Sequence, residues 1–281
     1  MGNFVFIVKE IWHTFRDIRY SVNLGRIRAE YRPLLRNDDI KSYLSKLITL
    51  LEIKNVTGGG YIRAGRHYDG GYVMLNDFSG KKTAYSFGIC DDVSWDSFFA
   101  KKQGIKVYMY DHTIQKLPSY NKNFIWKKTG ICKEGCEKKD LKTLKELLKS
   151  NGHSSERNML LKMDVEGAEW DVLSSIDAGI LNQFDQIVME LHGLLDFNKS
   201  EKILNSLINL NKNHQLVHVH GSNGSFSIPF QDRNIPNVLE VTYVNRNGRK
   251  FEKSGRFFPT HLDEKNNSSL PDILLGYWES D

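Results

Sequence analysis

NMLLKMDVEGAEW, Asn158 to Trp170, holds the transition that decides the fold. Met159 to Met163 is a short apolar run broken only by Lys162, the pattern of a strand buried within a sheet. The run stops at Asp164, Glu166 and Gly167 follow, and Ala168, Val172, Leu173 and Ile176 then take up helical spacing. The chain thus passes from strand to helix through a loop that holds two carboxylates and a glycine. Ligands of open α/β sheets bind outside the carboxyl ends of the strands, which makes Asp164 a candidate site residue. Glu166, Glu169 and Asp171 have a plainer use, because negative charge in a first helical turn gains roughly 0.3–1 kcal/mol from the helix dipole.

Outward from this stretch the same alternation repeats. Ala84 to Phe87 is a strand that runs into Gly88-Ile89-Cys90-Asp91-Asp92, and a helix is expected from Ser94 to Gln103. Ile105, Val107 and Met109 alternate into a second strand that ends at Asp111, and Phe124 to Lys128 gives a third. Asp140 is expected to cap a helix carrying Leu141, Leu144, Leu147 and Leu148. Gln186 to Glu190 is a fifth strand with His192 just past it, and Ser200 is expected to cap the next helix. Leu216 to His220 and Val238 to Val244 complete seven strands, joined by a loop too long for a simple turn. Strand and helix in alternation mark an α/β fold with a largely parallel sheet.

Before the first strand, Asp69-Gly70-Gly71 between Tyr68 and Tyr72-Val73-Met74 signals a hairpin. Further upstream lies a helical extension, residues 1–57, separated near Thr57-Gly-Gly-Gly60 from an α/β domain over 58–281. Its first two dozen residues space Phe4, Ile7, Val8, Ile11, Trp12, Phe15 and Ile18 on one helical face, and Asp39 to Leu51 forms a second helix. Residues 1–36 carry seven Lys/Arg against three Asp/Glu. Such a helix suits packing on the protein or a second copy of the chain, or peripheral contact with an anionic membrane. After Asn245 the chain turns polar, with apolar islands at Phe257-Phe258 and Ile273 to Leu275 that favour a tail folded back over the site.

With 281 residues, 40% hydrophobic, the chain can bury a substantial core. A net charge of +5 is mild, tolerates an acidic partner and calls for no nucleic acid. Three cysteines, Cys90, Cys132 and Cys136, argue for ordinary thiols in a reducing, cytoplasmic setting. The start MGNFVFIVKE is a poor signal peptide, and no run approaches the roughly 18–20 apolar residues of a membrane span.

Two strand ends frame the chemistry. Gly88 follows the first strand, and Asp111 closes the second 23 positions later, about where α/β nucleotide binders hold ribose hydroxyls. Gly88-Ile-Cys-Asp-Asp is not G-x-G-x-x-G, which counts against a pyrophosphate and hence against an NAD oxidoreductase, and for a cofactor with a ribose but no phosphate.

SFGICDDVSWD, Asp111 after the second strand, and LLKMDVEGAEWDVL together resemble the FkbM-type branch of S-adenosylmethionine-dependent methyltransferases. GRHYDGGYV, VMELHG, HVHGSN and VLEVTYV also resemble parts of bacterial relatives acting on surface polysaccharides, and the likeness spans roughly residues 60 to 275. The resemblance implies the class I methyltransferase fold, a Rossmann-like sheet of seven strands with the last antiparallel. It implies S-adenosylmethionine as cofactor, with Gly88 beneath it, Asp111 on its ribose and Asp164 near its amino group or the reacting centre. It also implies a carbohydrate or nucleotide-sugar acceptor in capsule or lipopolysaccharide biosynthesis, reached at the cytoplasmic side.

If the acceptor is a hydroxyl, a side chain must take its proton. Asp164, Glu190, His192, His218 and His220 are the candidates, and His220 is expected nearer the sheet's tip than His218. Asp164, Glu190 and His192 together could instead hold a divalent cation, magnesium or manganese, that lowers the hydroxyl's pKa. N-methylation of an amino sugar or a phosphoramidate-like group, and a non-catalytic nucleotide- or glycan-binding module, are the competing functions.

Overall fold

The computed structural model describes residues 30–278 apart from Arg32 and Glu137, so the basic amphipathic helix expected at the start lies outside the described residues. Seven strands form the central sheet: β1 (Thr83–Phe87), β2 (Lys106–Tyr110), β3 (Phe124–Lys127), β4 (Met159–Met163), β5 (Phe184–His192), β6 (His214–Gly221) and β7 (Val238–Asn245). Their order is β6-β7-β5-β4-β1-β2-β3, with β1 to β5 parallel and β7 antiparallel to both β5 and β6. This is the mostly parallel seven-stranded sheet of the class I methyltransferase fold. The winding reverses between β1 and β4, and the crevice at that switch point is where such sheets take ligands.

Side-chain alternation sorts the strands onto two cores. Tyr85, Phe87, Met159, Leu161 and Met163 face helices α1 (Asp38–Leu50), α3 (Leu144–Ser150), α4 (Glu169–Ser175) and α6 (Ser200–Asn211). Ala84, Val107, Met109 and Leu160 face the other way, toward α2 (Ser94–Ser97), its π-helical continuation Phe98–Lys102, and the hairpin of Tyr61–Ala64 and Tyr72–Leu75. A short α5 (Ala178–Leu181) leads into β5. Helix α1 contributes Tyr43, Leu44 and Leu47 to the first core, and Lys54–Val56 pairs with Phe251–Lys253. Among the described residues no helix is long and apolar enough to cross a membrane.

Several boundaries differ from expectation for identifiable reasons. Asp140 does not cap α3; Leu141–Lys142 pairs with Gly130–Ile131, and Thr143 caps through a capping box with Glu146. Ser200 is the first residue of α6 rather than its cap, because Asp196 closes the preceding 3-10 turn over Phe197–Lys199. The Asp69-Gly70-Gly71 turn belongs to a wider loop, residues 65–71, in which Arg63 donates to the carbonyls of Arg66 and Tyr68. The long β6–β7 connection contains its own hairpin, Ser227–Phe230 with Arg233–Pro236. The polar tail does fold back on the molecule: Phe258 and Leu275 are buried, and Ile273 and Leu275 pack over Gly221.

Candidate active site

Register explains how the polar residues meet. In β5, Val188, Glu190 and His192 share the hairpin-facing side, and pairing sets Glu190 opposite Glu240 of β7, which in turn faces His220 of β6. On β4, Lys162 and Asp164 follow the same alternation. The C-terminal ends of β4, β5 and β6, with the N-terminal end of antiparallel β7, therefore carry one transverse row of titratable side chains, at the spacing where cross-strand neighbours interact.

His192 ends β5 rather than following it, and it is the hub of this row. Its Nε2 lies 3.4 Å from Glu166, 3.5 Å from Glu190 and 4.0 Å from Asp164, while Nδ1 is 3.3 Å from Glu169. Burial would lower its pKa, but Glu169 and Glu190 outweigh burial and push it up to about 11. Burial pushes Glu190 up to about 7, opposed by His192 and reinforced by Asp164 and Glu240. Glu169 is fully buried and accepts from the Gly167 and His192 amides at 2.9 and 2.7 Å, so it ties the β4–α4 loop to the tip of β5. The Tyr72 hydroxyl reaches Asp164 Oδ2 at 3.4 Å. Ligand atoms of Asp164, Glu190 and His192 all lie within 4.8 Å of one another.

At the switch point a cavity of about 430 Å³ opens, bounded by the β1 loop, the ends of β2 and β4, Gly130-Ile131 and Glu190. Gly88 has φ +75, and a Cβ there would stand 1.6 Å from the Asp164 carbonyl oxygen. The glycine lets β1 and β4 close on each other at the cavity floor, so its demand comes from the neighbouring strand. Asp111 Oδ2 accepts from the Ile89 and Cys90 amides at 2.9 and 3.0 Å, and Oδ1 from the Thr113 amide and hydroxyl at 2.7 and 2.6 Å. Burial would raise this carboxyl; the Thr113, Cys90 and Ile89 donors outweigh it and hold the pKa below the usual range. Lys162, which looked like a mere interruption of a buried strand, sends its ammonium to the Gly88 carbonyl at 2.9 Å and lines the same cavity.

A family model for the methyltransferase FkbM domain matches residues 89–242, from the residue after Gly88 through most of β7. The chain belongs to the FkbM methyltransferase family. A search of the curated proteins finds no match. As a member of that family it is an enzyme that uses S-adenosylmethionine. The cavity fits such a cofactor: it lies at the switch point, it falls in the usual range of about 300–1,000 Å³ for ligand pockets, and Asp69, Asp91, Asp92, Asp111 and Asp164 give it an acidic lining suited to a sulfonium and an ammonium group.

Of the residues singled out from sequence, Gly88, Asp111, Asp164 and Glu190 line this cavity of the methyltransferase, and His192 adjoins it. His220 is not among the residues that line it. It is buried with Nδ1 3.0 Å from Glu240 and Nε2 3.1 Å from Asp272, and His218 is likewise buried 2.7 Å from Asp263. Both imidazoles clasp the C-terminal strap, residues 256–275, against β6, whereas the expectation set His220 toward a substrate. Tyr72, Glu169, Glu240 and Asn266 were not singled out for the site. Period-two alternation in VMELH and VLEVT would have flagged Glu240 once β5 and β7 were known to pair.

Proposed function

We propose that this FkbM methyltransferase transfers the methyl group to a hydroxyl of a carbohydrate made for a bacterial capsule or lipopolysaccharide. The observation that carries the reading is the meeting of two cavities at one acidic corner. The cofactor cavity and a second, more open cleft share Asp69, Glu166 and Glu190. A donor held in the first and an acceptor in the second would face each other there, and such alignment is worth several kcal/mol of barrier. The likeness of GRHYDGGYV, VMELHG and HVHGSN to proteins of surface-polysaccharide assembly supports the carbohydrate.

S-adenosylmethionine, when bound, supplies an electrophilic methyl group on sulfur. Gly88 and the Asp111-braced loop 89–90 would form its floor, and Asp111 would receive its ribose hydroxyls in exchange for part of that bracing. Asp164, Glu190 and His192 would hold a divalent cation at the acceptor end. Four carboxylates crowd one imidazole there, an excess of negative charge that a hard cation offsets. Bound there, magnesium or manganese would lower the pKa of the acceptor hydroxyl.

Titration of the protein with manganese, followed by paramagnetic resonance, tests the ligand set. Binding that is lost in Glu190→Gln, with S-adenosylhomocysteine affinity retained, is the expected result. Absence of manganese binding together with turnover indifferent to chelator would leave the proton to Glu190, the carboxylate shared by both cavities that lies on the sheet beside His192. N-methylation of an amino sugar is the second reading, favoured by the same acidic lining, which also suits an ammonium acceptor.

A further inference from the structure

The second cleft has a volume of about 330 Å³, and its far wall is the C-terminal strap. Asn223 secures that strap, donating to the carbonyls of Asn267, Leu270 and Pro271 and accepting from the Asn267 amide. The strap thereby brings Asn266 and Asn267 into the cleft, opposite Asp69 and Glu190. Two contacts join it to loop 65–71 across the opening: His67 to Glu264 at 3.0 Å, and Asn266 to Asp69 at 3.3 Å.

The polar character of this cleft is one-sided. Asp69, Glu166 and Glu190 line it, and none of its lining residues is Lys or Arg. Its one basic side chain, His192, is already ringed by carboxylates. The nearby cations are turned elsewhere. Arg66 donates to the Asp69 carbonyl and pairs with Asp92, Lys265 donates to the Ser268 carbonyl, and Lys162 is tied to Gly88.

Asn266 adds a second, independent sign. Its amide nitrogen donates to Glu240 Oε1 at 2.6 Å and to Asp69 Oδ1 at 3.3 Å. Two carboxylates as neighbours fix the orientation of the amide, since its oxygen could not face them both without repulsion. That leaves Asn266 Oδ1 buried with no hydrogen-bond partner. An acceptor buried without a donor costs about 1–3 kcal/mol, and because Asn266 lines the cleft, a small turn of its amide would open Oδ1 to a ligand O–H or N–H that recovers it.

We infer that this cleft is the acceptor subsite, and that it takes a sugar ring through its hydroxyl or ammonium donors, with no phosphate, sulfate or carboxylate on the ring seated there. The inference rests on the carbohydrate reading above and narrows it. With the proposed cation taken up by Asp164, Glu190, His192 and the acceptor hydroxyl, a phosphate would still meet Asp69 and Glu166 and find no guanidinium or ammonium among the lining residues, whereas recognised phosphates are met by Arg, Lys or clustered amides. A hexose phosphate, a nucleotide-sugar with its diphosphate in the cleft, and a phosphoramidate are all disfavoured. The fitting acceptor is a glycoside or a glycan unit whose reacting ring is neutral or amine-bearing.

Saturation-transfer NMR on the full chain, with S-adenosylhomocysteine present, tests this with matched probes. These are methyl glycosides of neutral hexoses and heptoses, the corresponding amino sugars, the hexose phosphates and a uridine-diphosphate hexose. Neutral or amino sugars should bind, and Asn266→Leu should weaken them about tenfold. The phosphorylated probes should fail to displace them. Ser225→Lys, at the cleft wall, should admit the hexose phosphates that the native protein refuses. Tighter binding of a phosphorylated probe than of its neutral partner overturns the inference. So does absence of binding by every neutral and amino sugar while S-adenosylhomocysteine still binds. Loss of S-adenosylhomocysteine binding would instead strike at the cofactor-cavity reading, so the two failures are told apart.

Discussion

Gly88 and Asp96 show how single residues set the site's tolerance. A methyl group at Gly88 would overlap the Asp164 carbonyl and force a positive φ on an L-residue. Gly88→Ala should therefore cost on the order of 2–3 kcal/mol in denaturant unfolding and weaken S-adenosylhomocysteine binding by calorimetry. A variant of native stability would show that β1 and β4 can part at no cost. Asp96 is fully buried and neither of its oxygens has a hydrogen-bond partner. Burial pushes its carboxyl up to about 6, against the pull of Lys162. The folded state thus holds a proton that the unfolded state, with a pKa near 3.8, releases earlier. Stability from this group is fully present below the unfolded pKa, is lost as pH rises through about 6, and turns to a cost at neutral pH. Asp96→Asn should raise unfolding free energy by about 2 kcal/mol at pH 8 and by much less at pH 4, and a gain equal at both would refute this account. Neither role was legible beforehand. Gly88 was noticed as a ligand-facing glycine, but its strand partner depends on which strand lies beside β1, and Asp96 sits in a helix whose buried face periodicity alone leaves ambiguous.

At the scale of elements, the strand ends distant from the site are fixed by a buried ion network. Asp185 at the start of β5 accepts from Arg249 through both oxygens, at 2.6 and 2.9 Å, and lies 2.9 Å from the buried Lys81. The β5 residue Gln186 donates to the Leu75 and Asp77 carbonyls and so anchors the hairpin over the sheet. Removing the shared carboxylate leaves Arg249 and Lys81 with Asp77 alone, 2.9 and 4.0 Å away and half exposed, so Asp185→Ala should cost about 3 kcal/mol in equilibrium unfolding. A cost below about 1 kcal/mol would mean that water reaches this network and screens it. Every strand of the sheet was legible in the sequence, because its strands leave short apolar or alternating runs and their ends leave acids and glycines. The helix starts were less so. Asp140 and Ser200 look like caps from composition, and what displaced them was pairing with Gly130–Ile131 in one case and a 3-10 turn in the other. Such competition between local signals is decided by partners that a linear pattern does not name.

Across the whole molecule, one wall of the second cleft depends on a tail that starts after the last sheet strand. Residues 256–275 return across β6, Arg256 stacks on Tyr61 and Phe258, and the buried pairs His218–Asp263 and His220–Glu240–Asp272 hold them there. The apolar islands Phe257-Phe258 and Ile273 to Leu275 announced that the tail folds back, but nothing in its own sequence said that histidines two strands away would grip it. Those histidines looked like bases because they alternate at a strand end, and the carboxylates that occupy them come from distant stretches. Burial alone would lower the His220 pKa; Glu240 and Asp272 outweigh it and push it up to about 10. A folded pKa above the unfolded value near 6.5 means that this clasp contributes its full stability below 6.5 and loses it as pH rises through about 10. The native protein should therefore lose on the order of a few kcal/mol between these limits from this group, a decline that His220→Gln should flatten. Amide exchange gives the local readout. In His220→Gln, residues 256–275 should exchange faster at pH 7 than in the native chain, while the β1 and β4 amides stay protected. Uniformly faster exchange would mean that His220 serves the whole sheet, and unchanged exchange in the strap would mean that the apolar islands hold it without the clasp.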